Sequence, residues 1–556
     1  MRLLRVFTNS LLCGLFFAFL LALLTADLNI NREVDAGLIA RLTVHLALIY
    51  GLLMAVVVFL GFVIGQFFFG RGAKLAVVSP SFLSLSFSLI ILIFLVIFEM
   101  NIRYFSSFFG EQVRTRLLIQ RVILLALCLL GVLLFVGFRR SRKAVVAWAY
   151  FVILVTGLVL ALVQRDRFPA FEPRSGTTLL LGRNTEKRIT LIGLEGLSFD
   201  FIVPLIGKGK LPNFSWLMDN GNSERLAGFS PTESLSLEAS FNTGKLPAEH
   251  RVLAGRRHRL SKMKEELEVV PRFILFSQLT RIGYLKIIPF KPVIQIKDFG
   301  QILRGNKIPH LDIGWTADRK SGAAVPRAEK QAAELLGDTA FSDDPLFTLA
   351  RAAFFRDWAI EEVALGERSA RSPQIFHLRL DGLNAVQAYF YKYCFPQPFG
   401  GVPQEGIDRY GAVIERYYEH YDGLIGKFLT GMKDDEILVV YSAFGVEPLP
   451  LWKRVLERML GDPEVSAYHE EAPEGVVFFY GRSIRKAKNT ETIRIVDIVP
   501  TLLYYLGLPV GRDMDGFVRS SLFSDDFRAM NPIIYISSYD DFEIQPPPNN
   551  RGPGRA

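Results

Sequence analysis

Apolar residues fall along this chain in two patterns, and the change comes about a third of the way in. Up to residue 163 they form five long runs, at 9–26, 42–66, 75–98, 117–138 and 144–163. A helix needs about 20 residues to cross a hydrocarbon core, and backbone polar groups in lipid must bond within their own segment. The runs therefore predict five transmembrane helices and an α-helical membrane domain over 1–163. Beyond residue 188 the apolar runs shorten. RITLIGL (188–194), QIFHLRL (374–380), EILVVYS (436–442), GVVFFYG (475–481) and IIYIS (533–537) read as strands. Stretches with helical spacing separate most of them, notably 414–432 and 496–508. This alternation predicts an α/β domain with a mostly parallel sheet over 188–544. Ligands of such sheets bind beyond the carboxyl ends of the strands. That draws attention to Leu194–Gly196, Asp381–Asn384, Ser442–Gly445 and the approach to the next strand at Glu471–Gly475.

The remaining segments have their own character. Residues 164–187 are polar, contain Pro169, Pro173 and Gly176, and read as a linker. Residues 256–345, with few clear strands, read as an insertion or cap. The tail 545–556 (QPPPNNRGPGRA) has a composition that cannot bury a core and reads as disordered.

Charge changes the picture mainly through its location. The chain carries a net +9, which would suit a nucleic-acid partner. Fourteen Lys and Arg against five Asp and Glu lie within 1–163, and the rest of the chain holds fifty of each. The surplus belongs to the apolar third, so no nucleic-acid partner is expected. Arg2 and Arg5, Arg71 and Lys74, and RRSRK (139–143) fall on one side of a regularly weaving chain. The positive-inside rule makes that side cytoplasmic. The expected location is the plasma (inner) membrane, multi-pass, with the N-terminus cytoplasmic and the C-terminal domain periplasmic or extracellular. LLTAD is a poor cleavage site, so the first run is expected to stay as an anchor. His45, Gln120 and Arg121 lie near span ends and read as snorkelling or helix-contact residues. No run has a central acidic residue, which argues against an ion pump or proton-coupled transporter. Three cysteines, Cys13, Cys128 and Cys394, exclude a disulfide scaffold and a Cys-rich zinc module.

Four segments carry a family resemblance: LIGLEGLSFDFIVPLIGKGKLPNFSWLMDNG, SFNTGKLPAEH, YYEHYDGLIGKFL and VDIVPTLLYYLGLPVGRDMDG, in that order across about 190–518. Together they resemble the alkaline phosphatase superfamily, and within it the type I phosphodiesterase/nucleotide pyrophosphatase group. The resemblance implies a two-metal phosphohydrolase in which a Thr or Ser attacks phosphorus while two zinc-like ions hold the phosphate. Carried onto this chain residue by residue, the implied machinery is dismantled. The first ligand position falls at Glu195, an aspartate in the family. The nucleophile position falls at Ala239, which has no oxygen. The remaining ligand positions fall at Asn384 and Ala388, at Ser442 and Ala443, and at Glu471, with His469 two residues away. Two neighbouring dications need carboxylates around them. Without the ions, a cluster of carboxylates is mutually repulsive, and Ala, Ser and Asn relieve that cost.

The expectation is therefore a catalytically inactive, pseudoenzyme-like domain acting as a binding or scaffolding module in envelope, lipid or glycan processes. It would hold no cofactor, and its partners would be membrane lipids and another membrane or envelope protein. Residual ligand binding would fall to Glu195, Asp381, His469 and Glu471. The alternative is an active metal-dependent phosphodiesterase or lipid-head-group phosphotransferase, with those four residues around one divalent metal such as zinc. Asp381, in an Asp-Gly pair, also reads as a strand-end turn residue. Ser240 and Ser442 have no His adjacent in sequence to take a proton and read as hydrogen-bonding residues. His250, His258, His310, His377 and His420 show no ligand spacing and read as structural or solvated. RRHRLSKMK (256–264) suits either lipid head groups or a solvated face.

Overall fold

In the computed structural model the chain divides into two compact units, residues 1–171 with 253–292 and residues 172–252 with 293–556. The structure describes residues 2–69, 78–141, 186–272, 279–314, 344–470 and 474–541, with scattered positions within 145–157 and 330–336. The linker 164–185, the tail and most of the fifth apolar run lie outside the described residues.

The first unit is built on α1 (Arg2–Leu28), α2 (Ala36–Phe68), α3 (Pro80–Tyr104) and α4 (Glu111–Ser141). All four are long and apolar enough to cross a membrane. Helix α1 is the core of this group, with Cys13, Ala18, Leu20, Ala22 and Leu24 buried. A side chain at Gly14 would meet the Gly51 carbonyl of α2 at 2.1 Å, so small residues let these two backbones touch. Helix α2 turns Leu53, Val57, Leu60, Ile64 and Phe67 outward. Such a continuous apolar face is stable against acyl chains and not against water. Near the other ends, Gln120 donates to Asp27 at 2.9 Å and Arg121 pairs with Glu99 at 2.9 Å, so both polar residues make helix contacts. The fifth run is described as helix only at 145, 148–149, 152–154 and 156–157. There, Gly157 lies against Leu127 of α4, 3.2 Å from where its Cβ would be.

Part of the expected insertion belongs with these helices, and this is a correction to reading 256–345 as one piece. Strands Arg256–Leu260 and Leu285–Pro289 form an antiparallel hairpin. Leu253, Leu260, Met263, Leu267, Val269, Leu279 and Leu285 are buried in the same core as α1 to α4. Two asparagines act as clamps. Asn29 Nδ2 donates to the Val269 carbonyl at 2.7 Å, and its Oδ1 accepts from the amides of Glu268 and Val269 at 2.8 and 3.0 Å. Asn101 Oδ1 accepts from the Arg272 amide at 2.7 Å. Arg41 pairs with Glu265 at 2.5 Å, and Tyr284 donates to the His45 carbonyl at 3.1 Å. Within the basic stretch, Arg257 pairs with Glu268 at 2.9 Å, so part of that charge is neutralised inside the unit.

The second unit is organised on a seven-stranded sheet. Its strands are β1 (Arg188–Leu194), β2 (Asn222–Ala227), β3 (His310–Ile313), β4 (Ile375–Leu380), β5 (Glu436–Phe444), β6 (Glu474–Tyr480) and β7 (Ala487–Arg494). They lie in the order β7-β2-β6-β5-β1-β4-β3. Only β6 runs antiparallel to its neighbours, so the sheet is mixed but mostly parallel. Both faces are covered, which is why the central strands are nearly continuous apolar runs. Ile192, Leu194, Leu378 and Val440 face the core that includes α6 (Pro345–Arg371), α7 (Gly382–Cys394) and α8 (Val413–Thr430). Ile189, Leu191, Ile375 and Val439 face the other core, with α5 (Ser234–Thr243) and helix Ile498–Tyr505. The run 533–537 does not join the main sheet. Tyr535–Ile536 pairs with Val510–Gly511 in a separate ladder.

Candidate functional site

Side chains alternate between faces along a strand. The carboxyl ends of β1, β4 and β5 therefore direct Gly193 and Glu195, His377 and Arg379, and Tyr441 and Ala443 toward the face that α5 covers. Gly193 is required there, because a Cβ would meet the Tyr441 hydroxyl at 2.8 Å and the Arg379 side chain at 3.2 Å. Arg379 is the buried cation of this region, with its side chain 10% exposed. It forms ion pairs with Glu238 of α5 and with Asp312 of β3, the latter at 3.3 Å. Ala239 and Ser240 follow Glu238 on α5, both buried.

Glu195 begins the loop after β1, and its amide donates to the Leu380 carbonyl at 3.0 Å. Its Oε2 finds no hydrogen-bond partner among the described residues. Burial pushes its carboxyl up to about 8, with Asp381 adding to the rise and Arg379 opposing it. Asp381 is raised by burial and held back by Arg356, with which it pairs at 2.9 Å. Behind it, Asp357 accepts from the Gly382 amide at 3.0 Å and from the hydroxyls of Tyr417 and Tyr421 at 2.9 and 2.7 Å. Asp357 is pushed up to about 6, again chiefly by burial.

Ser442 is a backbone anchor. Its Oγ accepts from the amides of Gly196 and Leu197 at 3.0 and 3.2 Å and donates to the Phe444 carbonyl at 2.9 Å. The Tyr418 hydroxyl accepts from the Ser198 amide and donates to the Gly196 carbonyl, both at 3.2 Å. Gly196 has φ +95° and approaches α7 so closely that a Cβ would stand 2.5 Å from Gln387 Oε1 and 3.2 Å from the Asn384 backbone. The loop thus brings Glu195, Ser442 and Asn384 together. The Ala388 carbonyl accepts from the Ser466 amide at 2.8 Å. His469 stacks on Phe444, ring centroids 4.8 Å apart. Glu471 lies outside the described residues.

One expectation needs correcting. Ser240 does have a histidine beside it: His250 Nε2 lies 2.8 Å from Ser240 Oγ. The pair is nonetheless not a nucleophile with its base. The Val252 amide donates to His250 Nδ1 at 3.1 Å. That nitrogen must be the acceptor, which leaves the ring proton on Nε2 to be donated toward Ser240. Burial drives His250 down to about 3, so it stays neutral. Both residues are fully buried.

The described residues offer few donors for a two-metal centre. Among the described residues no three His, Cys, Asp or Glu side chains gather as a ligand set. Of the positions implied by the resemblance, three are alanines, and the Ser442 oxygen is already committed to backbone groups. Two arginines that sequence reading did not single out hold carboxylates here: Arg356 pairs with Asp381, and Arg379 with Glu238 and Asp312.

Glu195 gives a testable pH dependence. Its carboxyl rises from an ordinary 4.5 to about 8. Between those values the folded chain keeps a proton that the unfolded chain releases. Stability should therefore fall as pH rises through that window, with a slope approaching about 1.4 kcal/mol per pH unit for one proton. Glu195→Gln is expected to remove this contribution and to be more stable than wild type at pH 8.5. Denaturant melts of both proteins from pH 5 to 9 check it, and parallel pH profiles would refute it.

No protein-family model and no curated protein matches the chain. Solved structures to which it is similar include murine ectonucleotide pyrophosphatase/phosphodiesterase 5, with 12% identity, a TM-score of 0.35, and coverage of 61% of this chain and 100% of that one. Another is a phosphonate monoester hydrolase from Silicibacter pomeroyi, at 15% identity, TM-score 0.33, 60% of this chain and 76% of that one. A third is an inactive form of the murine protein in complex with AMP, at 10% identity, TM-score 0.34, 61% and 100%.

Proposed function

We propose that this is a membrane-anchored, non-catalytic module: an alkaline-phosphatase-like α/β domain that binds or scaffolds rather than transfers phosphoryl groups. The observation that carries the reading is Arg379. Its guanidinium is held between Glu238 and Asp312 and acts on Glu195, at the strand ends where the family would need dications. A fixed internal cation pairs with Glu238 and Asp312 and opposes the rise of Glu195, and Ala239 offers no nucleophile. Expected partners are lipids and another membrane protein. The alternative single-metal site would need Asp381 released from Arg356 and His469 turned from Phe444. The test is hydrolysis of aryl phosphodiesters by purified full-length protein supplied with zinc or manganese. Rates no higher than those of Glu195→Ala support the module, and metal-stimulated turnover lost in that variant would overturn it.

The reading includes five crossings and an extracytoplasmic α/β domain. Residues 253–292 meet the membrane helices around Asn29, Arg41 and Asn101, at the ends of α1 and α3 opposite to where α4 finishes. Four crossings would leave the chain on the wrong side to supply that contact. The run 144–163 is long enough to return it, and Gly157 beside Leu127 suits an antiparallel partner of α4. Cysteines introduced at Arg5 and Lys264 that reacted with an impermeant maleimide from the same side would contradict this topology.

A further inference from the structure

The α/β unit carries one helix built inside out. Leu451–Leu460 (LWKRVLERML) follows β5 on an excursion closed by pairing of Glu447–Pro448 with Ala467–Tyr468. At 100° per residue, Leu451, Trp452, Val455 and Met459 share one arc about 100° wide. A surface helix normally turns such an arc into the protein. Here these four side chains are 69, 62, 51 and 73% exposed. Lys453 and Arg454 turn inward instead. Lys453 pairs with Glu470 at 2.8 Å and lies over the Tyr468 ring at 3.9 Å. Arg454 stacks on Phe399 at 4.9 Å, and Glu457 accepts from the Asp462 amide at 2.9 Å. The outward apolar face is thus held in place by the helix's own polar contacts.

We infer that this face docks into the head-group–acyl boundary of a lipid bilayer. Size favours that occupant. Four side chains fall well short of the roughly 20–30 residues a side that a stable protein interface uses. A helix lying in the membrane plane needs only a short apolar arc bearing Leu, Trp and similar residues, flanked by cations that stay wet. Arg458, exposed at the edge of the arc, supplies such a cation. Covalent continuity strengthens a weak contact of this kind. The unit that carries the helix joins the unit with the bilayer-length helices at residues 171/172, 252/253 and 292/293, so a lipid surface is always at high effective concentration. The inference rests on those helices and stands whether or not the sheet-end site turns over a substrate.

The test is a nitroxide at position 455 in full-length protein reconstituted into phosphatidylcholine nanodiscs, with Cys13, Cys128 and Cys394 replaced by Ser. Val455 is exposed, so the label should not perturb folding. A second nitroxide at Arg371, also exposed, serves as the aqueous control. The expected result is a several-fold higher ratio of oxygen to nickel-chelate accessibility at 455 than at 371, lost when Trp452→Glu and Met459→Glu are added. Equal, water-like accessibility at both sites would overturn the inference. Protection of 455 from both reagents would also overturn it, because it would put a protein on this face.

Discussion

Arg379→Met is expected to be the most damaging single change in the α/β unit, costing about 3–5 kcal/mol of stability. Removing one partner of a buried ion pair leaves the other as an uncompensated charge, and that penalty exceeds what the pair contributed. Glu238, with its side chain 21% exposed, would bear most of it, while Asp312 is 46% exposed and can turn to water. Adding Glu238→Gln should restore part of the loss, because the stranded carboxylate is then gone. Chemical denaturation of the full chain in detergent checks both variants. A loss below 1 kcal/mol for Arg379→Met, or no recovery in the double variant, would mean that this guanidinium is not the internal counter-ion described above.

Asn29→Ala should have a comparable effect in the membrane unit, on a different contact. Asn29 is 3% exposed, and its side chain holds the 268–269 backbone through one donated and two accepted hydrogen bonds. Alanine leaves two amides and a carbonyl without those partners, at about 1–3 kcal/mol for each group that water cannot reach. The expected outcome is a cost of about 3–5 kcal/mol and faster amide exchange at 267–270, with α1 still protected. Unchanged exchange in that segment would show that the apolar contacts of Leu267 and Val269 hold it unaided.

Much of the fold was legible because central elements announce themselves by burial. The runs at 188–194, 374–380, 436–442 and 475–481 became strands within two residues of their expected ends, since strands covered on both faces need unbroken apolar sequence. What escaped were elements with other signatures. NSERLA and AKNTETIR pair at one side of the sheet with mostly polar sequences, and HLDI forms the opposite edge within the segment 256–345. The hairpin 256–289 carries its apolar residues at irregular intervals and is fixed by Asn29 and Asn101, over a hundred residues distant in sequence. Of the strand-end residues read from the sequence, Glu195, Asn384 and Ser442 meet around Gly196. Arg379 was hidden inside QIFHLRL, where a continuous run conceals which face each residue takes. The Ser240–His250 contact was missed because a helix and a turn, not adjacency in sequence, bring the two together.

The most direct measurement of the central claim is the divalent metal content of the full-length protein. It should be purified without chelator, dialysed against micromolar zinc and manganese, and quantified by mass spectrometry beside Arg379→Met. Substoichiometric metal in the wild type is the predicted result, because Asp381 is already paired with Arg356 and Ala388 and Ala443 offer no donor. Two ions per chain, released on mutating Glu195, would contradict it.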